Sequence, residues 1–333
     1  MKNNFIKLRP VFTKYIFVGV AILFLTGIAI FSSSQKQNFP SPVQNADLSQ
    51  ESVRSSSPRV SHVAIVVLEN LRYENVIGNE RDMPYLNSLA SSYAYAKNYF
   101  ANKHPSISNY FILTTGQTIS NDNDFEDTVD ADNLARILAA AGKNWKEYSE
   151  SLPAAGYVGP DADFYRRHHN PFSYFSDVRN DSSQRKNLVP LEELSADIRS
   201  NNLPDFALIV PDNRNNTHNC PTGVFCTSGE KRATADQWLK KNIGPLLASP
   251  SFSQPGGGLL IITADEGSKA DHSRGGGHTF WIAVGPDIKN GYASDTFFQH
   301  ENTLRFVSEL LGLDRFPGKA ATASSMHEFL KGY

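Results

Sequence analysis

Residues 63–70 read VAIVVLEN, an apolar run rich in β-branched residues that ends in a carboxylate and an amide. Short runs of the same type occur at 206–210 (FALIV), 259–263 (LLIIT) and 280–284 (FWIAV). Continuous apolar runs of this length are typical of strands in a sheet that is covered on both faces. We therefore predict that these segments form the core of one β-sheet.

The segments between these strands have the spacing of helices. Apolar residues recur at helical intervals, and glycine or proline stop signals follow the last two segments. The candidate helices are 83–91, 132–141, 191–201, 236–248 and 301–311. Alternation of strands and helices predicts an α/β fold, a three-layer sandwich with a mainly parallel central sheet. Ligands of such folds collect beyond the carboxyl ends of the strands.

Acidic and amide side chains follow three of the predicted strands. The pairs are Glu69-Asn70, Asp212-Asn213 and Asp265-Glu266. A single acid at a strand end usually begins a turn, but three such pairs at one sheet edge are harder to explain by turns alone. Hard oxygen ligands in this number suit a divalent cation, with Ca²⁺, Mg²⁺ or Mn²⁺ favoured on chemical grounds.

Residues 101–116 read ANKHPSISNYFILTTG and place Ser106 directly after a proline. The apolar spacing that follows predicts a packed helix with Ser106 as its cap. Backbone N–H groups and the positive end of a helix dipole favour a developing alkoxide at that position. Ser106 is therefore either a simple helix cap or a nucleophile.

Several histidines stand in loops close to these elements, namely His104, His168, His169, His218 and His278. A lone loop histidine is commonly a surface residue, but this group beside strand-end acids indicates metal ligation or phosphate binding. The remaining histidines are interpreted as ordinary residues without a role in the site, namely His62, His272, His300 and His327. The glycine run 275–277 lets backbone approach a ligand closely, or forms a loose loop.

The amino-terminal region has the pattern of an export signal. Residues 1–14 contain basic residues and no acid, and residues 15–31 are almost wholly apolar. Segment 1–31 is thus either a cleaved signal peptide or an uncleaved membrane anchor. Residues 32–60 are rich in Ser, Gln, Asn and Pro, as in a flexible linker, and 61–333 form one domain. We expect an extracytoplasmic location, either periplasmic, secreted or anchored to the membrane.

Composition and charge exclude some classes of protein. Hydrophobic residues make up 40% of the chain, which is typical of a folded protein. The formal net charge is −2 and no basic stripe is present, so we expect no nucleic-acid partner. Cys220 and Cys226 are close in sequence, and an exported domain permits a local disulfide between them. Two thiols alone make a weak zinc site.

In combination, several motifs resemble the bacterial and fungal phosphoesterase family that contains acid phosphatases and bacterial phospholipases C. This family is a branch of the alkaline phosphatase superfamily. The similar pieces occur in the expected order and cover nearly all of 61–313: VVLENLRYENVIG, MPYLNSLA, NKHPSISNYFILTTGQ, HHNPFSYF, VPDNRNNTHNC and IITADEG. The resemblance implies an alkaline-phosphatase-like fold.

The resemblance also implies roles for individual residues. It makes one divalent metal ion the cofactor, with Zn²⁺ or iron still open if a histidine binds it, and its ligands are Glu69, Asn70, Asp265, Glu266 and Ser106. Ser106 is the nucleophile. The catalytic histidines that hold phosphate oxygens and protonate the leaving alkoxide are His168, His169 and His218, and His104 is a further candidate. Additional metal-site candidates are Asp212 and His278.

The function implied is a metal-dependent phosphomonoesterase that acts on a small phosphorylated substrate through a phosphoserine at Ser106. Two alternatives stay open. One is a phospholipase C that acts on lipid headgroups, with the membrane reached through the amino-terminal segment. The other is an inactive anchored module that binds metal or phosphate. The asparagine-rich loop 213–220 and the residues Leu71 and Tyr73 depart from the family pattern, which bears on substrate preference.

Overall fold

The structure, a computed structural model, describes residues 60–333 of the chain. The predicted signal or anchor (1–31) and nearly all of the predicted linker (32–60) lie outside the described residues. Within 60–333, no helix combines the length and apolarity needed to cross a membrane. The proposed domain boundary near residue 61 therefore stays a prediction.

One eight-stranded sheet forms the centre of the described part. In chain order its strands are β1 (His62–Leu68), β2 (Ala94–Phe100), β3 (Trp145–Ser149), β4 (Leu188–Pro190), β5 (Phe206–Val210), β6 (Gly258–Ala264), β7 (His278–Val284) and β8 (Tyr292–Phe298). Their order across the sheet is β4-β3-β5-β1-β6-β7-β2-β8. All neighbouring pairs are parallel except the two that involve β7, so the mainly parallel sheet is confirmed.

The helices lie between the strands in sequence. They are α1 (Tyr73–Val76), α2 (Pro84–Ser92), α3 (Ser106–Thr115), α4 (Leu134–Ala140), α5 (Ser176–Arg179), α6 (Ser182–Arg185), α7 (Glu192–Ser200), α8 (Ser228–Ala248), α9 (Pro250–Ser253) and α10 (His300–Leu310). Short 3₁₀ turns occur at Arg167–His169, Pro171–Tyr174, Gly318–Ala321 and His327–Phe329.

Strand β1 shows why the fold has three layers. Every residue from Val63 to Leu68 is buried, and alternate residues enter two separate hydrophobic clusters. Val63, Ile65 and Val67 pack in the cluster that includes α3, α4 and α10. The residues between them, Ala64, Val66 and Leu68, pack in the cluster that includes α2, α7 and α8. Helices thus cover both faces of the sheet, as the continuous apolar run predicts.

Some element predictions were incomplete. Strands β2, β3 and β8 were not predicted, because their sequences mix polar and apolar residues, and β4 was not predicted because it has only three residues. Strand β8 lies at one edge of the sheet and is largely exposed in its second half. Helix α8 begins at Ser228 and not at 236, since Thr227 and Glu230 form a capping box that the apolar pattern alone does not reveal. Ser106 is the first residue of α3 and Pro105 occupies the cap position, which corrects the predicted cap.

The predicted disulfide is confirmed, because the sulfur atoms of Cys220 and Cys226 are bonded. It closes the loop between β5 and α8, immediately before the capping residue Thr227. The tip of that loop carries Val224 and Phe225, both exposed.

Candidate active site

Three carboxylic acids are buried together at the carboxyl edge of the sheet. Glu69 follows β1, and Asp265 and Glu266 follow β6, the strand next to it. Leu68 and Ala264 are register partners, and the N–H of Asp265 donates to the carbonyl of Leu68 across 3.0 Å. Pairing of two parallel strands therefore brings the predicted acid pairs side by side.

Asn70 connects the two strand ends. Its backbone is in the left-handed region, with φ of 48°, and its N–H donates to Oδ1 of Asp265 at 3.2 Å. Its side-chain amide donates to Oε2 of Glu69 at 3.0 Å. A non-glycine residue in this conformation is uncommon and is concentrated at functional sites.

Burial strongly disfavours negative charge on these acids. Desolvation raises the pKa of Glu69 to about 7 and the pKa of Glu266 to about 10. The pKa of Asp265 is raised well above its usual value, first by burial and then by the charge of Glu69. The positive charge of Lys269 opposes the shift at Glu69 and Glu266. Three adjacent buried carboxyl groups call for either protons or a cation.

Ser106 lies against this cluster. It is only 5% exposed, and its hydroxyl donates to Oε2 of Glu69 at 3.4 Å. The preceding loop is shaped by Asn109, whose side chain accepts from the N–H groups of Asn102 and Lys103 and donates to the carbonyl of Lys103. The serine hydroxyl is thereby placed at the amino-terminal end of α3, beside the acids.

The glycine run 275–277 supports the same loop. A Cβ atom on Gly275 would lie 2.0 Å from the carbonyl oxygen of Asn102, and one on Gly276 would lie 2.5 Å from that of Lys103. Gly275 also has φ of +109°, a conformation that favours glycine. The close backbone approach expected of these glycines is thus made to the chain segment that leads into Ser106.

Two adjacent histidines complete one side of the cluster. Nε2 of His169 lies 2.8 Å from Oε1 of Glu69, and its ring stacks on Tyr110 with centroids 5.1 Å apart. The edge of His168 packs against His169 at 4.3 Å. Burial lowers the pKa of His168 to about 2 and the pKa of His169 to about 3, so both imidazoles are neutral above these values.

His104, in the loop before Ser106, contacts the third acid of the cluster, Glu266. Its Nδ1 lies 3.0 Å from Oε2 of Glu266, and its Nε2 contacts the carbonyl of Asp271 at 2.9 Å. Since Nε2 faces a carbonyl oxygen, it carries the proton, and Nδ1 is free to accept or to bind a cation.

The donor atoms of the cluster fit a divalent cation. Although some lie close to one another, the following buried atoms have no aligned hydrogen-bond partner within residues 60–333: Glu69 Oε1, Asn70 Oδ1, His104 Nδ1, His169 Nε2, Asp265 Oδ2 and Glu266 Oε2. Unpaired buried polar atoms are costly, and a shared cation removes that cost. In the same part of the chain, no group of three or more His, Cys, Asp or Glu side chains is already arranged as a metal site.

Three predicted residues lie outside this cluster. Asp212 is held by Arg214 Nη2 at 2.6 Å and by the hydroxyl of Ser151 at 2.7 Å. His278 begins β7, where Nε2 contacts the carbonyl of Lys97 and the ring stacks on Tyr73. His218 is exposed at the rim, where its Nδ1 contacts Asn219 Oδ1 at 2.8 Å.

Two supporting contacts were not predicted from the sequence. His300, to which the sequence pattern assigns no role in the site, is fully buried and contacts the carbonyl of Asp265 through Nε2 at 2.6 Å. The hydroxyl of Thr217 donates to the carbonyl of Glu69 at 2.5 Å, and the carbonyl of Asn216 accepts from the N–H of Glu69. The only sequence signal was that His300 directly precedes the predicted helix 301–311 and lies between a glutamine and a glutamate.

Comparison of the sequence with known proteins identifies related phosphatases. The profile described as the phosphoesterase family matches residues 79–314. A probable acid phosphatase of Kluyveromyces lactis is 30% identical over 77% of this chain and 60% of its own length. A phosphatidylinositol-3-phosphatase of Mycobacterium tuberculosis is 28% identical over 78% of this chain and 80% of its own. The chain thus spans about 60% of the length of the fungal relative.

Comparison of the fold gives a similar result at lower identity. A protein of the alkaline phosphatase superfamily from Vibrio parahaemolyticus superposes with a TM-score of 0.56, at 14% identity. The superposition covers 80% of this chain and 71% of that protein. The predicted alkaline-phosphatase-like architecture is therefore confirmed at the level of the fold.

Proposed function

The chain belongs to the phosphoesterase family, and from this membership and the site we propose that it is a metal-dependent phosphoric ester hydrolase. It acts on phosphomonoesters, and Ser106 is the nucleophile that forms a phosphoserine intermediate. The substrate is a small phosphorylated molecule. The protein acts outside the cytoplasm, in keeping with the disulfide between Cys220 and Cys226.

One observation carries this proposal. The hydroxyl of Ser106 is buried, lies at the start of α3 and donates to Glu69, inside a group of three buried acids. A serine that only begins a helix does not need acidic neighbours with raised pKa values. This combination is the one expected of an activated hydroxyl beside a cation.

The buried donor atoms support one divalent cation held by Glu69, Asn70, Asp265 and Glu266, with Ser106 beside it. When bound, such an ion supplies charge that lowers the pKa of a neighbouring hydroxyl and stabilises negative charge on a phosphoryl group. The oxygen atoms of this set favour Ca²⁺, Mg²⁺ or Mn²⁺, whereas the nitrogen atoms of His104 and His169 keep Zn²⁺ and iron open.

The side chains of the site have different roles in the proposed reaction. Oγ of Ser106 attacks phosphorus, which forms the serine O–P bond and breaks the bond between phosphorus and the alcohol oxygen. The serine proton has an acceptor in Glu69, 3.4 Å away. His168 and His169 are neutral because of burial, which suits ligation or donation of a neutral hydrogen bond. Our candidate for protonating the leaving alkoxide is His218, which is exposed and lines a groove together with Asn70. Water then hydrolyses the phosphoserine.

The nucleophile is tested with Ser106→Ala and the matched variant Ser108→Ala. Ser108 is also buried in α3, but its hydroxyl donates only to the carbonyl of Ser120, at 2.8 Å. We expect Ser106→Ala to lower kcat on an aryl phosphate by at least about 10³-fold, whereas Ser108→Ala keeps kcat within a few-fold. Mass spectrometry of acid-quenched enzyme locates phosphate on Ser106. An undiminished rate in Ser106→Ala would remove the nucleophile assignment.

A lipid substrate is the second candidate, because the mycobacterial relative is named a phosphatidylinositol-3-phosphatase. Side-by-side rates on a soluble monoester, a phosphoinositide and phosphatidylcholine separate the possibilities. Release of phosphocholine from phosphatidylcholine identifies a phospholipase C, whereas release of inorganic phosphate from only the soluble monoester and the phosphoinositide identifies a phosphatase. An inactive binding module would bind phosphate but give no product in a single turnover.

A further inference from the structure

A groove opens directly beside the catalytic cluster. It has a volume of about 370 Å³ and begins at Asn70, whose side chain contacts Glu69, the residue that also accepts from Ser106. His218 and residues from the first turns of α8 also line it. A substrate whose phosphate reaches Ser106 therefore has its remaining atoms close to this groove.

The groove is positively charged. Lys231, Arg232 and Lys269 line it, and no acidic side chain is among the described residues that form its wall. Arg232 is neutralised by Asp82, whose Oδ2 accepts from Nη2 at 2.6 Å. The two lysines differ from it, because within 60–333 neither forms an ion pair with a carboxylate.

The lysine contacts leave both charges available. Nζ of Lys231 donates to the carbonyl of His218 at 2.7 Å, which uses one of its three protons. Lys269 is exposed and has no side-chain hydrogen bond among the described residues, although its charge lowers the pKa of Glu69 and Glu266. The hydroxyl of Ser228 and the ring of His218 are further polar groups in the lining of the groove.

We propose that this groove binds a second anionic group of the substrate, a phosphate or a phosphodiester on the leaving alcohol. The inference rests on the proposed function, because it assumes that the cleaved phosphate lies at Ser106. Two lysines without an ion-pair partner in the described residues, in a polar groove, suit an anion and give no advantage to a neutral alcohol. The alternative is that Lys269 only offsets the negative charge of the acid cluster. This alternative predicts a different ratio of rates on the two substrates described below.

The experiment compares two substrates that differ only in the second anion. These are the monophosphate and the bisphosphate of propane-1,3-diol, assayed with metal-loaded full-length protein. After correction for the two equivalent ester groups, we expect kcat/KM to favour the bisphosphate by about tenfold. The preference should decrease as salt is added, because exposed charges are screened.

The ratio of the two kcat/KM values is then measured in Lys231→Met and Lys269→Met, with Lys240→Met as the matched control. Lys240 is an exposed lysine of α8 that does not line the groove. We expect each groove variant to lower the ratio several-fold and Lys240→Met to leave it unchanged. If Lys269 only offsets the charge of the acids, Lys269→Met changes the rates on both substrates by the same factor. The ratio of the two kcat/KM values then stays constant, and this result would overturn the role of Lys269 in the groove.

A second pair of substrates distinguishes a lipid headgroup from a free phosphate as the source of the second anion. Short-chain, water-soluble phosphatidylinositol 3-phosphate carries a phosphodiester that inositol 3-phosphate lacks. A lysine-dependent preference within this pair alone assigns the groove to a lipid headgroup, and a preference within the propanediol pair assigns it to a free phosphate. The absence of a preference in both pairs overturns the inference.

A binding measurement keeps this result independent of catalysis. Calorimetric titration of Ser106→Ala with the two propanediol phosphates reports the same preference without turnover. Failure to hydrolyse the monophosphate counts against the proposed function. Equal affinity within the propanediol pair and, titrated in the same way, within the inositol pair counts against the groove.

Discussion

The backbone N–H of Asn70 donates to Oδ1 of Asp265 across 3.2 Å, and this contact joins the ends of two parallel strands, β1 and β6. It requires the left-handed backbone of Asn70, whose φ is 48°. The same residue directs its amide to Glu69. One unfavourable backbone conformation thus orients acids from both strands, and the surrounding structure has to support its cost.

We expect Asn70→Ala and Asn70→Gly to separate the backbone role of this residue from its side-chain role. Both remove the amide that contacts Glu69, so both should lose metal affinity and activity. Only alanine is strained at positive φ, so it should lower the free energy of unfolding by about 1 kcal/mol more than glycine. Urea denaturation and metal titration of both variants measure this. Equal stability of the two would contradict the strain argument.

Neutralising Asp265 should weaken the cation site without unfolding the domain. We expect Asp265→Asn to lose bound metal and activity together, and excess divalent ion to restore part of the rate. Ser106→Ala is the control, because it should retain metal and lose turnover. Metal content by mass spectrometry and rates at increasing metal concentration measure both properties. Full metal occupancy and full activity in Asp265→Asn would show that the strand-end acids do not form the site.

Glu147 should make stability depend on pH. It is fully buried in β3, and burial raises its pKa well above the usual value, although Ser149 donates to Oε1. Above pH 4.5 the unfolded chain releases this proton and the folded chain keeps it, so stability decreases as pH rises towards the folded pKa.

We therefore expect Glu147→Gln to become more stable relative to the wild type as pH increases from 5 to 7. The difference should grow by at most about 1.4 kcal/mol per pH unit. Exposed Glu80→Gln is the control. Denaturation curves at several pH values test this, and a pH-independent difference between Glu147→Gln and the wild type would refute it.

The disulfide should stabilise the loop that leads into α8. The bridge spans a sequence separation of 6, so closing this short loop accounts for about 2 kcal/mol in the chain-entropy treatment. We expect the double variant Cys220→Ser, Cys226→Ser to lose roughly that amount. A reductant should destabilise the wild type similarly and leave the double variant unchanged. Equal denaturation midpoints with and without reductant in the wild type would argue against a structural role.

Local sequence alone determined the central strands, most of the longer helices, the disulfide and the pairs of acids at the strand ends. These features depend on properties read over a few residues: a continuous apolar run predicts a buried strand, and polar residues that follow it lie at the sheet edge. Together with the family resemblance, they also identified Ser106, His104 and His169, which lie against the acids.

Tertiary structure alone decided which polar residues meet. Asp212 follows a core strand as Asp265 does, yet Arg214 and Ser151 bind it outside the cluster. His300 lies far from Asp265 in sequence but contacts its carbonyl, because α10 packs with α3 on one face of the sheet. Contacts between distant segments depend on strand order and helix packing, and a local sequence pattern carries no information about either. For the same reason, only the folded chain places Lys231 and Lys269 in one groove beside Asn70.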